Sequence, residues 1–237
     1  MIAEAVHAED LGYRSVWIPE SHFGEPRSLP QPLLILAAIA ARTETIRLGT
    51  SSYLLPFRHP VRVAEEVAVL DQISNGRVIL GVGRGFRKPL FEAMGIAPGT
   101  KRAHFERTLA TLLGLFRGEP VADTGAYIHP LPLQRPHPPI WVAAFGPKGL
   151  AQAAQFGLPY LASPIEALER LEANHRLHRA ALDPEIDADS LAVPAIRSVF
   201  VSEQPAALRR VREALAAQAR TLAARVGGAL PHAADRE

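Results

Sequence analysis

"LGTSSYLLPFRHPVRVAEEVAVLDQISNGRVILGVGRGF", residues 48–86, holds two strand-like runs with a helix between them. The helical run is residues 60–74: Val63, Val67, Leu70 and Ile73 recur at one-face spacing, Pro60 opens it and Asn75-Gly76 ends it. Each strand ends in chemically useful residues. Ser51 and Ser52 lie within the first (46–55), Arg58 and His59 follow it, and Gly83-Arg84-Gly85 follow the second (77–83). A buried strand ordinarily carries Val or Ile, so two adjacent hydroxyls must bond to neighbouring backbone or face a polar cavity. The glycines at 81, 83 and 85 do not make the G-x-G-x-x-G dinucleotide fingerprint. A glycine-bordered Arg can still bind a phosphate bidentately, and a tight turn with a solvated Arg accounts for the same letters.

Outward from this block the alternation continues. Strands are expected at 15–20, 140–145, 158–163 and 192–203, and helices at 3–12, 32–43, 104–117, 147–157, 164–182 and 205–226. Residues 84–103 read as a long loop. The Pro-rich segment 118–139 reads as an irregular insertion with room for a small hairpin, and 227–237 as a loose tail. Parallel strands under helices follow from this order, as a doubly wound sheet or as a (β/α)8 barrel. The whole chain, 1–237, reads as one domain.

Composition narrows the function. The 237 residues carry 26 basic and 24 acidic side chains and no cysteine, which excludes disulfide frameworks, thiolate metal sites and Cys nucleophiles. No Lys/Arg run is interleaved with aromatics, so nucleic acid is not an expected partner. The apolar stretch 32–41 is too short to span a bilayer and no signal peptide is visible, so a cytoplasmic protein is expected. There is no G-x-S-x-G elbow and no H-E-x-x-H. His175 and His178, i and i+3 on a helix, read as surface residues, and no metal is expected. His22, just after the first strand in "PESHF", reads either as an acid/base group or as a loop His pinned by Glu20.

Taken together, "SVWIPESHF", "AARTETIRLGTSSYLLPFRHPVRVAEEVAVLDQISNGRVILGVGRGF" and "RPHPPIWVAAFGPKGLAQAAQFGLP" resemble the bacterial luciferase-like monooxygenase family over residues 3–203. The resemblance implies a (β/α)8 TIM barrel. Met1 falls inside the first helix, and the chain stops after a seventh, so the first and last strands of that barrel are expected to be missing. It implies that Ser51-Ser52 is a non-proline cis peptide against a flavin ring. Arg84 and the backbone of Phe145 and Gly146 would contact the cofactor phosphate, and Glu20 and His22 would face the isoalloxazine as the catalytic pair. Ser21 stands where the family commonly has the first of two histidines. The implied activity is oxygenation of a small organic substrate by O2 and reduced FMN from a separate flavin reductase. The alternatives are an F420-dependent oxidoreductase and a non-catalytic flavin-binding barrel fragment. A homodimer through helices 32–42 and 60–74 is also implied.

Overall fold

The computed structural model describes residues 1–23, 28–163 and 166–225, in two compact units, 1–143 and 144–237. The expected tail lies outside the described residues. The first unit is a parallel sheet of β1 (Ser15–Ile18), β2 (Arg47–Thr50), the short β3 (Tyr53–Leu54), β4 (Val78–Gly83) and β5 (Ile140–Ala143). β1 pairs with β2, β2 with β4, and β4 with both β3 and β5, all parallel. The expected single strand 46–55 is therefore two strands, parted at Ser51-Ser52, whose peptide bond is cis.

Three helices pack onto this sheet: α1 (Ile2–Asp10) on β1, α2 (Pro32–Ala40) on β1 and β2, and α3 (Pro60–Ile73) on β4. Pro32 and Pro60 open their helices, where a missing N–H costs nothing. After α3, Asn75 and Gly76 take positive φ and turn the chain into β4. All six residues of β4 are buried, as a central parallel strand requires.

Register sets the two faces. Trp17 pairs with Gly49, Gly49 with Ile79, and Gly81 with Trp141. On this face the two indoles stack, 4.9 Å between centroids and 25° between planes, and glycines make the room beside them. The other face carries Leu48, Leu80, Val82 and Val142, each without solvent exposure.

Two polar hubs brace the helix–strand turns. Arg77, just before β4, donates to the carbonyls of Ala40, Thr43, Ile46 and Ser74 and to the Thr43 hydroxyl, at 2.6–3.0 Å. It thereby ties the end of α2, the start of β2 and the end of α3 together. Asp71, fully buried, accepts the Gln134 backbone N–H at 2.9 Å and its side-chain amide at 2.7 Å, which pins the Pro-rich segment. That segment contains a one-turn helix, Ala122–Thr124, and no strand. The loop expected over 84–103 includes α4 (Lys88–Ala93) and leads into α5 (Lys101–Phe116), whose Phe105, Leu109, Leu112 and Phe116 are fully buried.

The second unit contains β6 (Tyr160–Leu161), α6 (Pro147–Gln155), α7 (Leu168–Ala180) and α8 (Pro205–Arg225). Two expectations are corrected here. Residues 192–203 form no strand: strand-like letters make a ladder only beside a partner, and here Val199, Phe200 and Val201 are solvent-exposed. His178 is not a surface residue. It is 4% exposed, bonded through Nε2 to the Leu158 carbonyl (2.9 Å), with the Tyr160 ring 5.7 Å away. Burial pushes its imidazole below the ordinary value, against the pull of that carbonyl. His175, 4.6 Å from Tyr160, is half-buried.

Candidate active site

The candidate residues of the first unit gather at the C-terminal ends of its strands. Beyond β1, the Glu20 side chain is completely buried. Its Oε1 lies 2.7 Å from His22 Nε2 and 2.9 Å from Arg58 Nη2, and its Oε2 accepts the Leu54 backbone N–H at 2.9 Å. His22 is 8% exposed. Arg58 reaches Glu20 from the turn after β3, its guanidinium 4.0 Å above the Tyr53 ring. Tyr53, fully buried, donates its hydroxyl to Glu66 Oε2 at 2.9 Å. Burial raises the Tyr53 phenol well above its ordinary value; Arg58 opposes this and Glu66 adds to it, so the phenol stays a donor.

Ser21 has a structural task. Its hydroxyl accepts the Leu29 N–H and its own N–H donates to the Leu29 carbonyl, both at 3.0 Å, closing the loop after β1. Arg87 closes the same loop from the head of α4, donating to the carbonyls of His22 (2.9 Å) and Phe23 (3.2 Å).

Ser51 and Ser52 follow β2 and are half-buried. The Ser51 N–H donates to the Ile18 carbonyl at 3.0 Å. The Ser52 hydroxyl lies against Gly83, in space that a β-carbon there would need, so Ser52 faces the glycine-bearing side of β4. Gly85, at φ +70°, turns the chain beside the Phe57 ring.

Arg84, between these glycines, donates to the Ala143 carbonyl at 3.3 Å and lies 5.9 Å from the Phe105 ring centre. Burial pushes its guanidinium below the ordinary value, Arg102 pushes it further, and Glu106 opposes both. Lys101, over the Phe91 ring at 5.7 Å, is likewise lowered by burial, then by Arg84 and Arg102. Three cations therefore share the end of β4 and the head of α5. Such a cluster is favourable for an anionic group.

Phe145 and Gly146 belong to the second unit. Gly146 caps α6, and its carbonyl accepts the Gly149 and Leu150 N–H groups at 2.8 and 3.0 Å. Phe145 is exposed. Among the described residues, no group of three or more His, Asp or Glu side chains could hold a metal ion. No described helix is long and apolar enough to cross a membrane.

Of the residues expected from the sequence, Glu20, His22, Ser51, Ser52 and Arg84 lie at these strand ends. Arg58 carried no assigned role in the sequence, and Tyr53, Arg87, Lys101 and Arg102, which lie beside them, were not expected there. "FRHP" directly after a strand was the available signal for Arg58. Lys101 and Arg102 lie 17 and 18 positions beyond Arg84 in the chain, with no local pattern pointing back to it.

Comparison with known proteins gives the family. The family profile described as luciferase-like monooxygenase matches residues 1–236. The oxygenase component of flavin-dependent trigonelline monooxygenase from Acinetobacter baylyi is 29% identical over 209 residues, 83% of this chain and 57% of that protein. The alkanal monooxygenase alpha chain of Photorhabdus luminescens is 33% identical over 165 residues, 67% of this chain and 46% of that one. The crystal structure of monooxygenase RslO1 from Streptomyces bottropensis superposes with a TM-score of 0.77 at 29% identity, covering 96% of this chain and 74% of that one. The chain thus spans about half the length of the curated relatives it matches. Its α/β architecture of parallel strands under helices is shared with luciferase-like TIM-barrel monooxygenases. The chain belongs to the luciferase-like monooxygenase family.

Proposed function

We propose that this protein is the oxygenating part of a flavin-dependent monooxygenase, using O2 and reduced FMN delivered by a separate flavin reductase to oxygenate a small organic substrate. The observation that carries this reading is the cationic cluster of Arg84, Lys101 and Arg102 beside a glycine-lined strand end. Burial and the neighbouring cations disfavour the charges of Arg84 and Lys101, and a phosphate dianion offsets both effects. The residues present therefore fit a phosphate-bearing flavin.

When bound, the flavin supplies the activation of dioxygen. The chain's own residues do the rest. Arg84 holds the phosphate, with Lys101 and Arg102 adding field. Ser51 and Ser52 provide the surface against which the ring system rests. The backbone of Phe145 and Gly146, at the head of α6, contacts the cofactor in this reading, which for these two residues rests on the resemblance of their sequence segment to the family. His22 is the acid/base group, and Glu20 orients it. Leu34, Val69 and Ile73, outward on α2 and α3 and 71%, 42% and 54% exposed, form the face through which two copies associate.

The test is reconstitution with a flavin reductase, NADH, FMN and 18O2 over a panel of small organic substrates. The proposal expects a product carrying one 18O atom. His22→Ala should lower that product about 10²- to 10⁴-fold, the usual contribution of a positioned acid/base group, while hydrogen peroxide release rises. Turnover with F420 and not with FMN would assign the chain to the deazaflavin oxidoreductases. FMN binding without any product from the panel would leave a flavin-binding protein.

A further inference from the structure

Glu20 is held by donors on both oxygens: Arg58 Nη2 on Oε1, the Leu54 N–H on Oε2, and His22 Nε2 against Oε1. Guanidinium and backbone amide can only donate, so the carboxylate accepts from both. With its side chain completely buried and a permanent cation 2.9 Å away, Glu20 also accepts from His22. That requires the His22 proton to sit on Nε2. Arg58 is itself braced: its guanidinium lies on the Tyr53 ring, and Tyr53 is anchored to Glu66. Its Nε is buried with no hydrogen-bond partner. Its contact with Glu20, at 2.9 Å, is shorter than those its Nη groups make with Gln31 Oε1 (3.4 Å) and the Pro30 carbonyl (3.5 Å).

We infer that Arg58 is a positioning residue which, acting through Glu20, fixes neutral His22 as the Nε2–H tautomer and leaves Nδ1 as the nitrogen that meets the bound ligand. This rests on the role proposed for His22 above. A neutral His22 then offers a lone pair at Nδ1, and a protonated one offers an N–H there.

The test is a long-range 1H–15N spectrum of the full chain with 15N-labelled histidine. It is recorded at about pH 8.5, where an ordinary imidazole is neutral, with His22 assigned by His22→Gln. The wild type should show His22 with a pyrrole-type Nε2 and a pyridine-type Nδ1. Arg58→Met should lose this single-tautomer pattern, and Arg58→Lys should retain part of it. Glu20→Gln gives the same readout if Arg58→Met does not fold. An Nδ1–H pattern in the wild type, or an unchanged pattern in both Arg58→Met and Glu20→Gln, overturns the inference. The spectrum needs neither flavin nor substrate, so it is read independently of whether the monooxygenase assignment holds.

Discussion

The Trp17 indole lies directly over Gly49, filling the space that a β-carbon at position 49 would occupy. Gly49 is therefore required by a close approach and not by a turn. Gly49→Ala should push Trp17 off the sheet and away from Trp141, its stacking partner. Overpacking of this kind costs about 1–3 kcal/mol. These are the only two tryptophans in the chain, so near-ultraviolet circular dichroism reads the pair directly. The coupled indole bands should be lost, with a lower urea midpoint; an unchanged spectrum would show that the sheet yields instead of the ring.

Glu9 anchors the turn into β2. Burial pushes its carboxyl up, but the N–H groups of Ile46, Thr45 and Glu44, with the Thr45 hydroxyl, outweigh this and hold it at about 2, below the ordinary 4.5. A depressed carboxylate contributes stability that is present above its unfolded value and is lost as pH falls through its folded one. Glu9→Gln should therefore melt below the wild type at pH 7, with the gap closing between about pH 4.5 and pH 2. A gap that stays constant over that window would mean that the charge contributes nothing.

The assembly face proposed on α2 and α3 has its own test. The wild type should sediment as a dimer at micromolar concentration, and the double substitution Leu34→Glu, Ile73→Glu should sediment as a folded monomer. A monomeric wild type would remove this face from the account.

Much of the strand–helix order was readable because each element repeats its period cleanly: the α3 face from Val63 to Ile73, the continuous apolar run of β4, and prolines at the heads of α2 and α3. The break between β2 and β3 was not readable from pattern, since Leu48–Leu54 carries no charge and its only polar groups are hydroxyls. The strand expected near 192–203 shows the converse, because β-forming letters say nothing about whether a partner strand is adjacent. Residues that bond locally, such as Glu20 beside His22, were visible as a motif. Those that act across the fold were not. Arg77 reads as one basic residue after a turn, yet its contacts span residues 40 to 74. Ser21 looked like a lost histidine until its bonds to Leu29 gave it a task.

The central claim is that Arg84 binds the cofactor phosphate, and paired titrations with FMN and riboflavin test it most directly. Riboflavin has the same ring system without the phosphate. Losing a charge-assisted contact costs about 1.5–3 kcal/mol, or roughly ten- to hundredfold in affinity. Arg84→Ala should therefore weaken FMN by that factor and leave riboflavin nearly unchanged. Equal losses for both ligands would make Arg84 a structural residue of the strand end and contradict the flavin site proposed there.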